Sequence, residues 1–159
     1  MRVAILISGR GSNMENLIRA SYKSDSNINI IRVISNRKDA TGLNIARDLG
    51  VETEVIEHEQ FNSRSAFEIQ LTSVLEAAGT EFICLAGFMR MLGTDFVNHW
   101  HDRLINIHPS VLPAFKGLNT HQRAIDSGAD YSGCTVHFVR SNMDDGPIIL
   151  QAVTPVKTK

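Results

Sequence analysis

The strongest constraint in this chain is the alternation of short β-branched runs with amphipathic segments of helix length. Arg2 to Ile7 reads as a buried strand, Ser8-Gly9-Arg10-Gly11-Ser12-Asn13 as the loop after it, and the stretch to about Ser21 as a helix. Asn29 to Ile34 is a second strand, Thr41 to Leu49 a helix stopped by Gly50, and Thr53 to Ile56 a short strand. From Ser63, the residues Phe67, Leu71, Val74, Leu75 and Ala78 recur at helical spacing until Gly79 ends the run. Phe82 to Ala86 is a further apolar strand, Asp95 to Trp100 a short helix, and Arg103 to Ile107 a strand. Thr120 to Ser127 forms a helix before Gly128, and Thr135 to Val139 and Ile148 to Val156 are two late strands.

Strands that are apolar on both faces and alternate with helices predict an α/β fold: a mainly parallel twisted sheet, helices on both faces, ligands at the carboxyl ends of the strands. The last two strands are joined by Arg140 to Gly146, too short for a crossover helix, so they are expected as an antiparallel hairpin at one edge. With 159 residues, the chain is expected to be one domain spanning 1–159.

Composition removes several classes. Hydrophobic residues at 43% supply a sizeable core and argue against disorder. Sixteen Lys and Arg against seventeen Asp and Glu leave a net charge of -1, so nothing draws the whole chain to nucleic acid or an anionic membrane. No signal peptide or membrane span is expected, which points to the cytoplasm. Cys84 and Cys134 lie in apolar runs without metal-ligand spacing and read as buried reduced thiols; His99 and His101 lack a third ligand, so no metal site is expected.

Two constellations carry chemistry. Gly9-Arg10-Gly11-Ser12-Asn13-Met14 lies between a strand and a helix, the setting in which unpaired backbone N–H groups and the helix dipole bind an anion. A dinucleotide is disfavoured, because Met14 replaces the third small residue and Ser35-Asn36-Arg37 replaces the acid that closes the second strand. The simpler reading is a capping box between Ser12 and Glu15. The second constellation is Asn106-Ile107-His108-Pro109-Ser110-Val111-Leu112-Pro113. Asn106 and His108 are two apart on a strand and share a face at its carboxyl end. A carboxamide and an imidazole together suit oxyanion stabilisation and proton transfer, hence acyl transfer. The alternative is a pair that bonds only to loop backbone. No activated Ser or Cys is near, so the nucleophile is expected to belong to a substrate. Asp144-Asp145-Gly146-Pro147 offers a carboxylate, and is equally ordinary turn chemistry.

With these blocks, and with Ala86-Gly87-Phe88-Met89-Arg90, the chain resembles the folate-dependent formyltransferases from Met1 to about Val156. The Asn-x-His-Pro-Ser-x-Leu-Pro block marks that family, and the Ser-Gly-x-Gly-Ser-Asn opening narrows it to the phosphoribosylglycinamide branch. The resemblance implies the formyltransferase fold, with 10-formyltetrahydrofolate as co-substrate and formyl transfer to the amine of phosphoribosylglycinamide. It implies Asn106 and protonated His108 at the oxyanion, with Asp144, the first acid of its motif, holding the imidazole. Gly11, Ser12 and Asn13 would cradle the ribonucleotide phosphate; Arg64, Met89, Arg90, Met91, Leu92 and Asn106 would meet the folate. Plain core packing is the competing role for Met89 and Met91. Family members usually continue into a C-terminal helical segment, which this chain is expected to lack. The neighbouring possibilities are a formyltetrahydrofolate hydrolase, a methionyl-tRNA formyltransferase, and an inactive ligand-binding protein on the same fold. The first and second would carry an added domain.

Overall fold

A computed structural model describes residues 1–157. The strands are β1 (Arg2–Ile7), β2 (Asn29–Ser35), β3 (Thr53–Val55), β4 (Phe82–Leu85), β5 (Leu104–His108), β6 (Tyr131–Phe138) and β7 (Ile148–Pro155). The helices are α1 (Ser12–Ser21), α2 (Gly42–Asp48), α3 (Arg64–Ala77), α4 (Thr94–His99) and α5 (Thr120–Asp126), with a 3₁₀ turn at His58–Gln60. The strands form one sheet in the order β3-β2-β1-β4-β5-β6-β7. The first five are parallel; β6 runs antiparallel to β5, and β7 to β6. The expected architecture is therefore present, including the antiparallel hairpin at one edge.

Side-chain alternation along β1 divides the core. Val3, Ile5 and Ile7 face α1 and α2, where they pack with Met14, Ile18, Leu43 and Ala46. Ala4 and Leu6 face the other way, into a cluster with Phe67, Leu71 and Leu75 of α3 and Phe96, Val97 and Trp100 near α4. This division follows from chain direction. The connections from β1 through β3 progress towards one edge, those from β3 through β5 progress back towards the other, and right-handed crossovers then put their helices on opposite faces. The reversal falls between β1 and β4, where the loops leaving the two strands diverge and open a crevice.

One boundary differs from expectation. β6 begins at Tyr131 rather than Thr135, because its first half pairs with the end of β7, from Tyr131↔Pro155 to Cys134↔Ala152. Gly133 hid this extension, since glycine disfavours strands. Here it is required: a Cβ at Gly133 would come within 1.9 Å of the Ala152 carbonyl oxygen.

The loop after β1 is backed by the start of α2. Gly42 N–H donates to the Gly9 carbonyl at 3.1 Å. A Cβ at Gly42 would meet Ile7 Cδ1 at 2.7 Å and the Gly9 and Arg10 carbonyl oxygens at 3.0 and 3.1 Å. Overpacking costs ~1–3 kcal/mol, against a helix-propensity gain of at most ~1 kcal/mol. Gly42→Ala should therefore lower the thermal midpoint by a few degrees; a raised midpoint in a thermal melt would mean that the loop yields freely.

Candidate functional site

β1, β4 and β5 end side by side, so the loops after them form one edge of the molecule. Two hydrogen bonds stitch the first two loops together: Ser8 N–H donates to Gly87 O at 3.0 Å, and Met89 N–H to Ser8 Oγ at 2.8 Å. Ser8 Oγ in turn donates to Asn36 Oδ1 at 2.5 Å, and Asn36 is buried against His58. A dinucleotide enzyme would keep a ribose-binding acid at about this place. Here the position is committed to holding the loops together.

Gly11 caps α1 in the left-handed region, at φ 72°, and Ser12 and Asn13 are the first two helical residues. The proposed capping box does not form. Ser12 lies inside the helix rather than at the cap, no side chain caps this end, and Glu15 pairs with Arg19 at 2.8 Å instead. Gly11, Ser12 and Asn13 therefore present the free helix N-terminus at the sheet edge, and Ser12 and Asn13 are exposed.

The segment after β4 carries most of the residues expected to meet the folate. Met89 and Met91 are 66% and 52% exposed, which excludes core packing, whereas Leu92 is buried in the cluster with Phe67 and Phe96. Arg90 is exposed. Buried Glu68, which sequence reasoning missed, secures the segment: it accepts from Gly93 N–H at 2.7 Å and draws Arg64 Nε to 3.7 Å. Arg64 at the start of α3 is thereby brought beside the end of the methionine segment.

At the end of β5, Asn106 and His108 share a face, as their spacing requires. The antiparallel register sets Asn106 opposite His137 and His108 opposite Thr135, and directly opposed residues lie on the same side of a sheet. All four side chains therefore share one face. His108, 5% exposed, places Nδ1 3.4 Å from Asp144 Oδ2 and Nε2 3.0 Å from the Phe115 carbonyl oxygen. Asp144 also accepts from Gly117 N–H at 2.9 Å. Buried His137 lies with Nε2 3.3 Å from Asn106 Nδ2 and 3.8 Å from Asp144 Oδ1. Its signal in the sequence was faint: a second polar residue, two after Thr135, in an otherwise apolar strand. Its value appears only once the β5–β6 register is known.

Thr135 anchors the loop that follows His108. Its Oγ1 donates to Ser110 O at 2.7 Å and accepts from Leu112 N–H and Gln151 Nε2, both at 3.0 Å. Ser110 Oγ donates to Ala114 O at 2.6 Å, and the Leu112–Pro113 peptide bond is cis.

The two acids of the β6–β7 turn have separate fates. Asp145 is exposed and paired with Lys116, whose hydrogen bond and charge hold its carboxyl below the usual carboxylate range. Asp144 turns inward at φ 50°, a left-handed backbone that Asp tolerates better than most residues. Elsewhere, burial pushes the Cys84 thiol up to about 11, leaving it protonated and inert; both cysteines are free and half-buried. His99 and His101 are exposed at the end of α4, the first on Glu76 at 2.9 Å and the second beside Asp102 at 3.3 Å.

The turn depends on Gly146, because a Cβ there would lie 1.7 Å from the Phe138 carbonyl oxygen and 2.8 Å from its carbon. Backbone cannot swing aside like a side chain. Gly146→Ala should destabilise by about 3 kcal/mol, at the upper end for overpacking; an unchanged denaturant midpoint would refute so close an approach.

Comparison with known proteins places this geometry in context. The family model described as formyl transferase matches residues 1–159. Phosphoribosylglycinamide formyltransferase of Escherichia coli K12 is 42% identical over 156 residues, covering 98% of this chain and 74% of that protein. The trifunctional purine biosynthetic protein adenosine-3 of Bos taurus is 47% identical over 156 residues, but the chain spans only 15% of its length. Among solved structures, glycinamide ribonucleotide transformylase 1 from Symbiobacterium toebii superposes with a TM-score of 0.96 at 40% identity, covering 99% of this chain and 74% of that one.

Proposed function

The chain belongs to the formyl transferase family, and on that premise we propose that it transfers the formyl group of 10-formyltetrahydrofolate to the amine of phosphoribosylglycinamide, in purine biosynthesis. The observation that carries this reading is the approach of His108 Nδ1 to Asp144 Oδ2, 3.4 Å, with Asn106 on the same sheet face.

The substrates' chemistry fits the residues at the sheet edge. A phosphate on the ribonucleotide meets the N-terminus of α1, with the backbone of Gly11 and the side chains of Ser12 and Asn13 as donors. A flat folate ring suits the exposed, polarisable side chains of Met89 and Met91, over a floor that includes buried Leu92. Arg64 and Arg90 are the cations for its glutamate carboxylates.

In the reaction, the substrate amine forms a bond to the formyl carbon, and the bond from that carbon to the folate nitrogen breaks. Asn106 Nδ2 and the His108 imidazolium stabilise the oxygen that becomes negative between these events. The His108 imidazolium gives its proton to the departing folate nitrogen and takes one back from the ammonium that the attacking amine has become, so the ring ends as it began. Asp144 orients the ring and balances its charge. Because His108 Nε2 donates to Phe115 O, a substrate atom takes the place of that carbonyl when this nitrogen works. No helix among the described residues is long and apolar enough to cross a membrane. Both substrates are small metabolites, and we place the reaction in the cytoplasm without nucleic-acid or membrane partners.

His108→Ala should lower turnover ~10²- to 10⁴-fold and Asn106→Ala ~10²- to 10³-fold, in an assay of folate release with and without phosphoribosylglycinamide. Release that ignores the acceptor would indicate a hydrolase, and no release in either case a binding protein. Ser12→Ala and Asn13→Ala should raise the KM for the ribonucleotide more than that for the folate; equal rises would indicate loss of local structure instead.

A further inference from the structure

We propose that His137 is a positioning residue that fixes the orientation of the Asn106 carboxamide and keeps Asp144 committed to His108; this rests on the formyl-transfer reading above. An imidazole only 2% exposed must find partners for both nitrogens, since a buried polar group without them is costly. Nδ1 lies 3.0 Å from the Phe138 carbonyl oxygen. A carbonyl only accepts, so Nδ1 carries the hydrogen. In the neutral ring Nε2 then offers a lone pair, and it lies 3.3 Å from Asn106 Nδ2. The carboxamide must donate there.

The alternative amide orientation would set Oδ1 against that lone pair, two acceptors facing each other. His137 therefore decides which end of the Asn106 side chain is a donor and in which direction. One N–H of Nδ2 is held by the imidazole, and the amide plane fixes the other as the N–H for the developing oxyanion. Without this partner, the carboxamide can rotate and present its oxygen to negative charge.

The same tautomer explains the contact with Asp144. Nε2 stands 3.8 Å from Asp144 Oδ1, beyond hydrogen-bond range. A hydrogen on Nε2 would give Asp144 a second donor in competition with His108 and would cost Asn106 its acceptor. The unprotonated Nε2 avoids both.

Two measurements test this. The first needs no substrate: ¹⁵N NMR of the histidine ring nitrogens in the intact protein. It should give a protonated Nδ1 and an unprotonated Nε2 for His137, and the reverse pattern would overturn the proposal. The second is kinetic. His137→Phe keeps the ring and removes the acceptor; it should cut kcat by ~10-fold or more, within the 10²–10³ ascribed to a whole oxyanion donor, with KM for both substrates within about twofold. In an Asn106→Ala background the same change should have no further effect, because coupled residues are not additive. Should His137→Phe not fold, His137→Leu carries the same cycle, since it too lacks an acceptor; His137→Gln, whose amide oxygen supplies one, should retain more kcat than either. An unchanged kcat in the variants without an acceptor, or an equal loss in both backgrounds, would overturn the positioning role. If the wild-type protein transfers no formyl group, the functional reading fails while the ring nitrogens still decide the tautomer.

Discussion

The antiparallel pairing of β5 with β6 is the contact on which the site depends. Its register sets Asn106 against His137 and His108 against Thr135. A strand repeats every two residues, so a slip of one would turn His137 and Thr135 to the opposite face. The imidazole beside Asn106 and the hydroxyl holding Leu112 would be lost together. Two features hold the register: the full-length pairing of β6 with β7, and the turn in which Gly146 lies against the Phe138 carbonyl. A hairpin at the edge of a parallel sheet thus becomes the wall of the site.

The sheet was legible because buried parallel strands and amphipathic helices announce themselves by period. Every major element was expected within a few residues, and the misses have local causes. Gly133 concealed the first half of β6, although backbone proximity to Ala152 is what demands a glycine there. The Ser12–Glu15 pair satisfied a capping rule in spacing, but Gly11 took the cap in a left-handed conformation and shifted both residues inward by one. The shared face of Asn106 and His108 was readable from parity alone. The exposure of Met89 and Met91 was not, since it depends on what packs above a loop. His137 was hidden for a different reason: its partners lie 31 and 7 residues away in sequence and meet it only through sheet register.

On the proposed function, substrate geometry follows from the topology. The reversal between β1 and β4 spreads their loops, one bearing a helix N-terminus proposed to meet an anion and the other exposed methionines proposed to meet a flat ring. Ser8 ties the two at fixed separation through Gly87 and Met89. Next along the sheet, β5 delivers Asn106 and His108. A net charge of -1 does not oppose binding of anionic substrates, because the cationic character needed is local.

The two adjacent aspartates show how environment separates like residues. Asp145 spends its charge on Lys116 at the surface, where such a pair contributes little to stability. Asp144 adopts a left-handed backbone that costs energy, and it is held there by Gly117 N–H and by the glycine turn behind it. That cost is offset by placing one carboxylate against a nearly buried imidazole. A stable fold alone would not need it, since an ordinary turn could join β6 to β7 with both acids in water. The strain is therefore best explained by the imidazole, and the imidazole by the face it shares with Asn106.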